Sequence, residues 1–276
     1  MNLSLHAQYS TLALEAQAGE SSLRQALTRL PHFFKEVGKS LTEAFSKPFH
    51  AVFKAKDLNW AITQLAAVPY PTLRTTVVPC VPGLTTDYLS YIAALDLDAQ
   101  HAAVLEAKYL NPLIDFLAKK LANPDALRSQ APDLALVAVD LTALNIRTKA
   151  MAGLVDPTND SASQPYGKLI KRHADWTAIQ EHIAHITKVF TQSDHARVAM
   201  SVARCNELLG TLIARVSEDP SMYKVSGPTL KLIADAAYAT ATAVEFYGLT
   251  YRRAVVLEAA IHGLVDTTAK LIPQAA

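Results

Sequence analysis

The chain has 276 residues, half of them hydrophobic, only 18% charged and net +1 at neutral pH. That is enough apolar material for one large domain or two small ones. It excludes the strong basic field of a dedicated nucleic-acid binder and the high charge of a disordered chain. Two cysteines with no CxxC exclude a disulfide framework and point to a reducing setting, the cytoplasm or the inside of an assembled particle.

The N-terminus, MNLSLHAQYSTLALEAQ, has neither a basic leader nor a long apolar run, so no secretory signal is expected, and no stretch is apolar enough for a membrane span. Helical spacing starts at SLRQALTRL and resumes at PHFFKEVGKSLTEAF, with Pro31 read as the first turn of a new helix. Ser46 and Pro48 predict a further helix start, making residues 32–56 a bent pair of helices. This stretch holds five of the eight phenylalanines and five lysines. Phe34, Val37, Leu41 and Phe45 share one face; Phe49, Val52 and Phe53 share another.

Three chemistries compete for that stretch. Gly38-Lys39-Ser40 resembles the end of a phosphate loop, but the earlier glycine of GxxxxGK[ST] falls on Phe33 and no strand precedes it. A basic, aromatic helix suits a bilayer surface. Large rings more often pack in a core or a subunit interface. The third reading is preferred, so Phe34, Phe45, Phe49 and Phe53 are the expected packing or partner residues, and membrane binding is not expected.

DLNWAITQLAAV reads as the next helix. Residues 68–85 break the pattern with four prolines around an alternating TLRTTVV, which predicts an extended arm with at most an edge strand. Such an arm must rest on water, on the body or on a neighbour, and Cys80 within it is assigned to the candidate interface. Helices resume at TDYLSYIAAL and continue through DAQHAAVLEAKYLNPLIDFLAKKLA, where Pro112 predicts a kink near Asn111. Residues 133–155 are apolar nearly all round at first and predict a central buried helix carrying Asp140. Residues 156–167 read as a polar loop, which either separates an N-terminal region 1–155 from a C-terminal bundle 168–276 or lies within one continuous domain whose contacts cross it.

Beyond the loop, Asp175 is the expected cap of a helix with the stripe Ile179, Ile183, Ile186 and Phe190. Ser193 is the expected cap of the next, with Val198, Val202, Cys205, Leu209, Leu212 and Val216 in line. Ser226 and Pro228 open a long last segment that Gly248 is expected to divide. These three segments suggest an antiparallel bundle. The fold class is therefore all-α, a multi-helix bundle with one Pro-rich extended arm.

Candidate chemistry is sparse. In EHIAH, His182 and His185 stand three apart on one helix, a spacing that metal ligands use. Without HExxH or a cysteine pair, a third ligand would have to come from the fold, with His173, Asp175 and His195 the nearest in sequence. The two histidines are the metal candidates, although no metal or other cofactor is expected. No GxSxG is present, Cys205 falls on an apolar stripe, and a Cys80–His pair would need partners from afar. Asp140 and Glu245 are carboxylates in apolar surroundings, for which a cap, an arginine pair or a helix edge is the simpler reading, with Arg252 and Arg253 in reach of Glu245. KLIKRH at 168–173 is the one local basic cluster, too small for a nucleic-acid surface.

Two function classes follow. The first is a non-enzymatic structural or assembly protein, an oligomeric subunit of a larger particle such as a phage virion, with copies of itself or other protein subunits as partners. The second is an enzyme or small-molecule binder whose site is assembled between helices from sequence-distant residues.

Overall fold

A computed structural model describes residues 3–18, 20–46, 55–67, 73–82, 84–122, 141–152, 162–218 and 226–270. The fold is all-α, with a single two-stranded ribbon among the described residues. In chain order the helices are α1 (Leu3–Glu15), α2 (Glu20–Ser46), α3 (Ala55–Ala67), α4 (Tyr88–Ala103), a π-helix (Glu106–Leu110), α5 (Asn111–Ala122), α6 (Leu141–Ala152), the short α7 (Tyr166–Leu169), α8 (Asp175–Val189), α9 (Gln192–Glu218) and α10 (Gly227–Ala269). Strands β1 (Val77–Cys80) and β2 (Ala162–Pro165) pair antiparallel, with Val77 opposite Pro165 and Cys80 opposite Ala162. No helix among the described residues is long and apolar enough to cross a membrane.

Helix α2 runs through Pro31 instead of starting there. The proline removes one backbone donor, at a cost of about 3 kcal/mol. The stripe Ala26, Leu30, Phe33, Phe34, Val37 and Leu41, each 5% exposed or less, continues across it at three- and four-residue steps. Burying those side chains, at about 1.5–3 kcal/mol for each large one, outweighs the lost bond. Gly38, Lys39 and Ser40 lie in the middle of this helix. A Cβ on Gly38 would come within 3.2 Å of Asn206 Oδ1 on α9, so this glycine serves close helix packing. Asn206 also donates from Nδ2 to Thr42 Oγ1 at 3.0 Å, joining the same two helices.

Before Pro112, where a kink is expected, the chain forms the π-helix at 106–110. Pro112 cannot donate to the carbonyl four residues back, and a widened turn is one way a helix absorbs that loss. Asp87 caps α4 by accepting from the Ser90 amide at 2.8 Å and pairs with Lys171. Burial pushes its carboxyl up, but the Lys171 and Ser90 hydrogen bonds outweigh this and hold it at about 2.

Helix α10 is unbroken at Gly248. From Ile233 to Gly248 every residue but Glu245 is buried. Packing on all sides offsets the roughly 1 kcal/mol that an interior glycine costs. Among the described residues, the helix buried nearly all round is thus α10 over residues 233–248. Of the segment 133–155 only α6 is described, and it buries Leu144 and Thr148 while Ile146 is 64% exposed. Asp140 lies outside the described residues.

Ser226 caps α10 as expected, its Oγ accepting from the Thr229 amide at 3.3 Å. The caps of the two preceding helices differ from expectation. Asp175 turns its carboxylate back to the Arg172 amide and guanidinium, at 2.9 and 3.1 Å. Thr191, not Ser193, accepts from the Asp194 amide at 3.1 Å and begins α9. A Cβ on Gly227 would sit 2.1 Å from the Ala16 carbonyl oxygen. Gly227→Ala is therefore expected to lower stability by about 1–3 kcal/mol in thermal unfolding, the usual range for overpacking.

Residues gather into two units that interleave along the chain. The first comprises residues 1–47, 104–150 and 195–248; the second, 48–103, 151–194 and 249–276. The anticipated boundary at 156–167 falls inside the second unit, because its residues 162–165 form β2 against β1 and so tie the proline arm to the segment before α8. Of the three C-terminal segments, α8 belongs to the second unit, where it packs on α4 and α3, α9 belongs to the first, and α10 is shared between them.

Candidate functional site

The arm rests on its own unit. Leu73, Val78, Cys80, Val81 and Leu84 are each 6% exposed or less, and Gln164 Nε2 donates to the Leu84 carbonyl at 2.9 Å. Cys80 is 4% exposed and burial raises its thiol pKa. Phe34, at 1% exposure, is equally internal. Two of the residues assigned to a partner surface are therefore core residues of this chain. The side chains of Phe45, Phe49 and Phe53 lie outside the described residues. Cys205 is fully buried on its stripe, its thiol pushed up to about 12 by burial, and is chemically inert at neutral pH.

Several of the described charged groups in the interior are paired across helices. In the first unit Glu106, on the π-helix, accepts from Ser201 Oγ at 2.7 Å and is paired with Arg197. Tyr9 donates to Asp235 Oδ1 at 2.9 Å, and Lys231 holds the other oxygen at 2.6 Å. In the second unit Arg253, 4% exposed, reaches Asp98 at 2.7 Å and lies over the Tyr91 ring at 5.0 Å. These arrangements satisfy each carboxylate with a cation and act as clasps between helices. Arg253 is thus committed to Asp98, and not to the Glu245 that sequence proximity suggested.

One cluster is different. Asp96 on α4 is 3% exposed, and its Oδ2 faces the Nδ1 atoms of both His182, at 2.8 Å, and His185, at 3.1 Å, on α8. Gln100 Nε2 donates to the other oxygen, Oδ1, at 3.1 Å. Burial pushes the Asp96 carboxyl up, but the hydrogen bonds from His182, Gln100 and His185 outweigh it and hold the group below the usual carboxylate range. The His182 side chain is 32% exposed and that of His185 is 54% exposed, so the cluster opens to solvent on its histidine side.

The fold supplies this convergence simply. Ile179, Ile183 and Ile186 on α8 are fully buried, as are Ile92, Leu95 and Ala99 on α4. Packing these stripes brings the flank of one helix, with the histidines, beside the flank of the other, with Asp96. The sequence-near candidates do not join them: Asp175 is engaged by Arg172, His173 is exposed, and His195 belongs to the first unit, where it stacks near Tyr247. Asp96, 86 residues before His182, is the residue that sequence reasoning missed. Its one signal was a carboxylate flanked by buried leucine and alanine positions on an amphipathic helix.

Compared with known proteins, the chain matches no family model, no curated protein and no solved structure.

Proposed function

We propose that the protein is a non-enzymatic structural subunit that assembles with copies of itself, as a component of a larger particle of which a phage virion is one example. The observation that carries this reading is Trp60. Its side chain is 56% exposed on α3, while Leu58, Ala61, Ile62 and Leu65 on the same helix are fully buried. More than half of this large aromatic residue is therefore left open to solvent beside a fully buried stripe. Positions three, four and seven residues on, Thr63, Gln64 and Ala67, are small or polar and exposed. An aromatic anchor with such a rim is the usual chemistry of an interface hot spot. The low charge of the chain agrees with a surface that is covered in use.

Light scattering on the purified chain is expected to give a defined oligomer. Trp60→Ala should weaken association by about 2 kcal/mol or more, roughly thirtyfold in dissociation constant, and leave the melting temperature of the dissociated chain unchanged. A wild-type chain that stays monomeric at high concentration would contradict the proposal.

A second reading, a binder or enzyme with a site assembled between helices, is favoured by the meeting of Asp96 with His182 and His185. It predicts a ligand-dependent change in a monomeric protein.

A further inference from the structure

We propose that Asp96, His182 and His185 form a binding site for a divalent first-row transition metal, zinc above all, which pins α4 to α8. The site stands whether or not the chain assembles.

Each of the three residues offers one ligand atom, and these atoms lie within 4.8 Å of one another. Two imidazole nitrogens and one carboxylate oxygen suit zinc, cobalt or nickel. Magnesium and calcium demand more oxygen ligands than this cluster holds. In a tetrahedral site with ligands about 2.0–2.1 Å from the metal, neighbouring donor atoms stand about 3.3 Å apart. The distances from Asp96 Oδ2 to the two Nδ1 atoms, 2.8 and 3.1 Å, need only a few tenths of an ångström of opening. A carboxylate only accepts, so both histidines must carry a proton on Nδ1 in the arrangement described. Metal would take the place of those two protons, each neutral imidazole then carrying its proton on Nε2, and both nitrogens already face the carboxylate oxygen.

The surroundings fit. Gln100 occupies Asp96 Oδ1, which fixes the carboxylate and leaves Oδ2 to the metal, as partners of ligating carboxylates do. Asp96 and His185 come from different helices whose apolar stripes are buried, so the donors sit on packed elements. The exposed side of His185 provides a path for entry and room for water to complete the coordination sphere. A hydrogen-bonded clasp alone would need only one histidine on Oδ2; here two converge on it.

The experiment uses the full chain, stripped with a chelator that is then removed, and Co2+ as the probe. Visible d–d absorption is expected to grow to saturation at one equivalent, to be displaced by Zn2+, and to be indifferent to Mg2+. His185→Ala changes a half-exposed side chain and should fold normally, yet should weaken Co2+ by at least about tenfold. His182→Ala combined with His185→Ala should abolish the band. Two results would overturn the assignment. One is a wild-type chain with no Co2+ band and no rise in Tm with Zn2+, which would make the cluster a hydrogen-bonded clasp only. The other is Co2+ binding that survives both histidine changes, which would place the metal elsewhere.

Discussion

Asp98→Ala is expected to destabilise the protein by about 3 kcal/mol or somewhat more, read as a lower denaturation midpoint in urea. Arg253 is the reason. Its side chain is 5% exposed, and Asp98 at 2.7 Å carries the one described ion pair it makes. The Tyr91 face at 5.0 Å helps to hold the guanidinium but cannot neutralise it. Removing the aspartate strands a cation in a low-dielectric site, and such losses cost about 3–5 kcal/mol. The 20% exposure of Asp98 admits some water, which places the effect at the lower end. Combining Asp98→Ala with Arg253→Met should recover most of the loss, because a hydrophobic side chain of similar length needs no counter-charge. A double variant as unstable as the single one would show that packing, not charge, sets the cost.

Trp176→Ala should cost about 3–5 kcal/mol, the range for deleting a large buried ring. Trp176 is 1% exposed, and its indole N–H donates to the Tyr166 hydroxyl at 2.9 Å. Tyr166 is fully buried and its amide donates to the Thr76 carbonyl at 2.8 Å. The pair therefore links α8 to the ribbon of β1 and β2. Beyond the global loss, the Tyr166 amide should exchange its hydrogen faster relative to amides in the middle of α8. Trp176→Phe keeps most of the ring and should cost less, about 1–3 kcal/mol, including the penalty at a hydroxyl deprived of this donor. Equal costs for the two variants would mean that the hydrogen bond matters more than the ring.

The contrast between these residues marks what was legible in the chain. Cys205 and the isoleucines of α8 could be placed in the core from spacing alone, because a helix repeats its faces every three to four residues and burial follows the apolar face. The Ser226 cap could be read because its partner lies three residues away. Phe34 was correctly marked as packing, but spacing could not say whether the covering atoms belong to this chain or to another. The local rules failed where distant contacts outweighed them. Pro31 remains inside α2 and Gly248 inside α10, since the stripes buried on either side outweigh the local cost.

By itself, the sequence determined the helical class of this protein, its faces, the proline arm and the two histidines of α8. Each of these is a property of neighbours along the chain, carried by backbone geometry and by apolar periodicity. Tertiary structure alone decided that β2 covers β1, that α4 lies against α8, and that Asp96 meets His182 and His185. The reason is physical: which helices pack together depends on how whole faces fit, summed over many small dispersion contacts, and no short stretch of residues contains that sum.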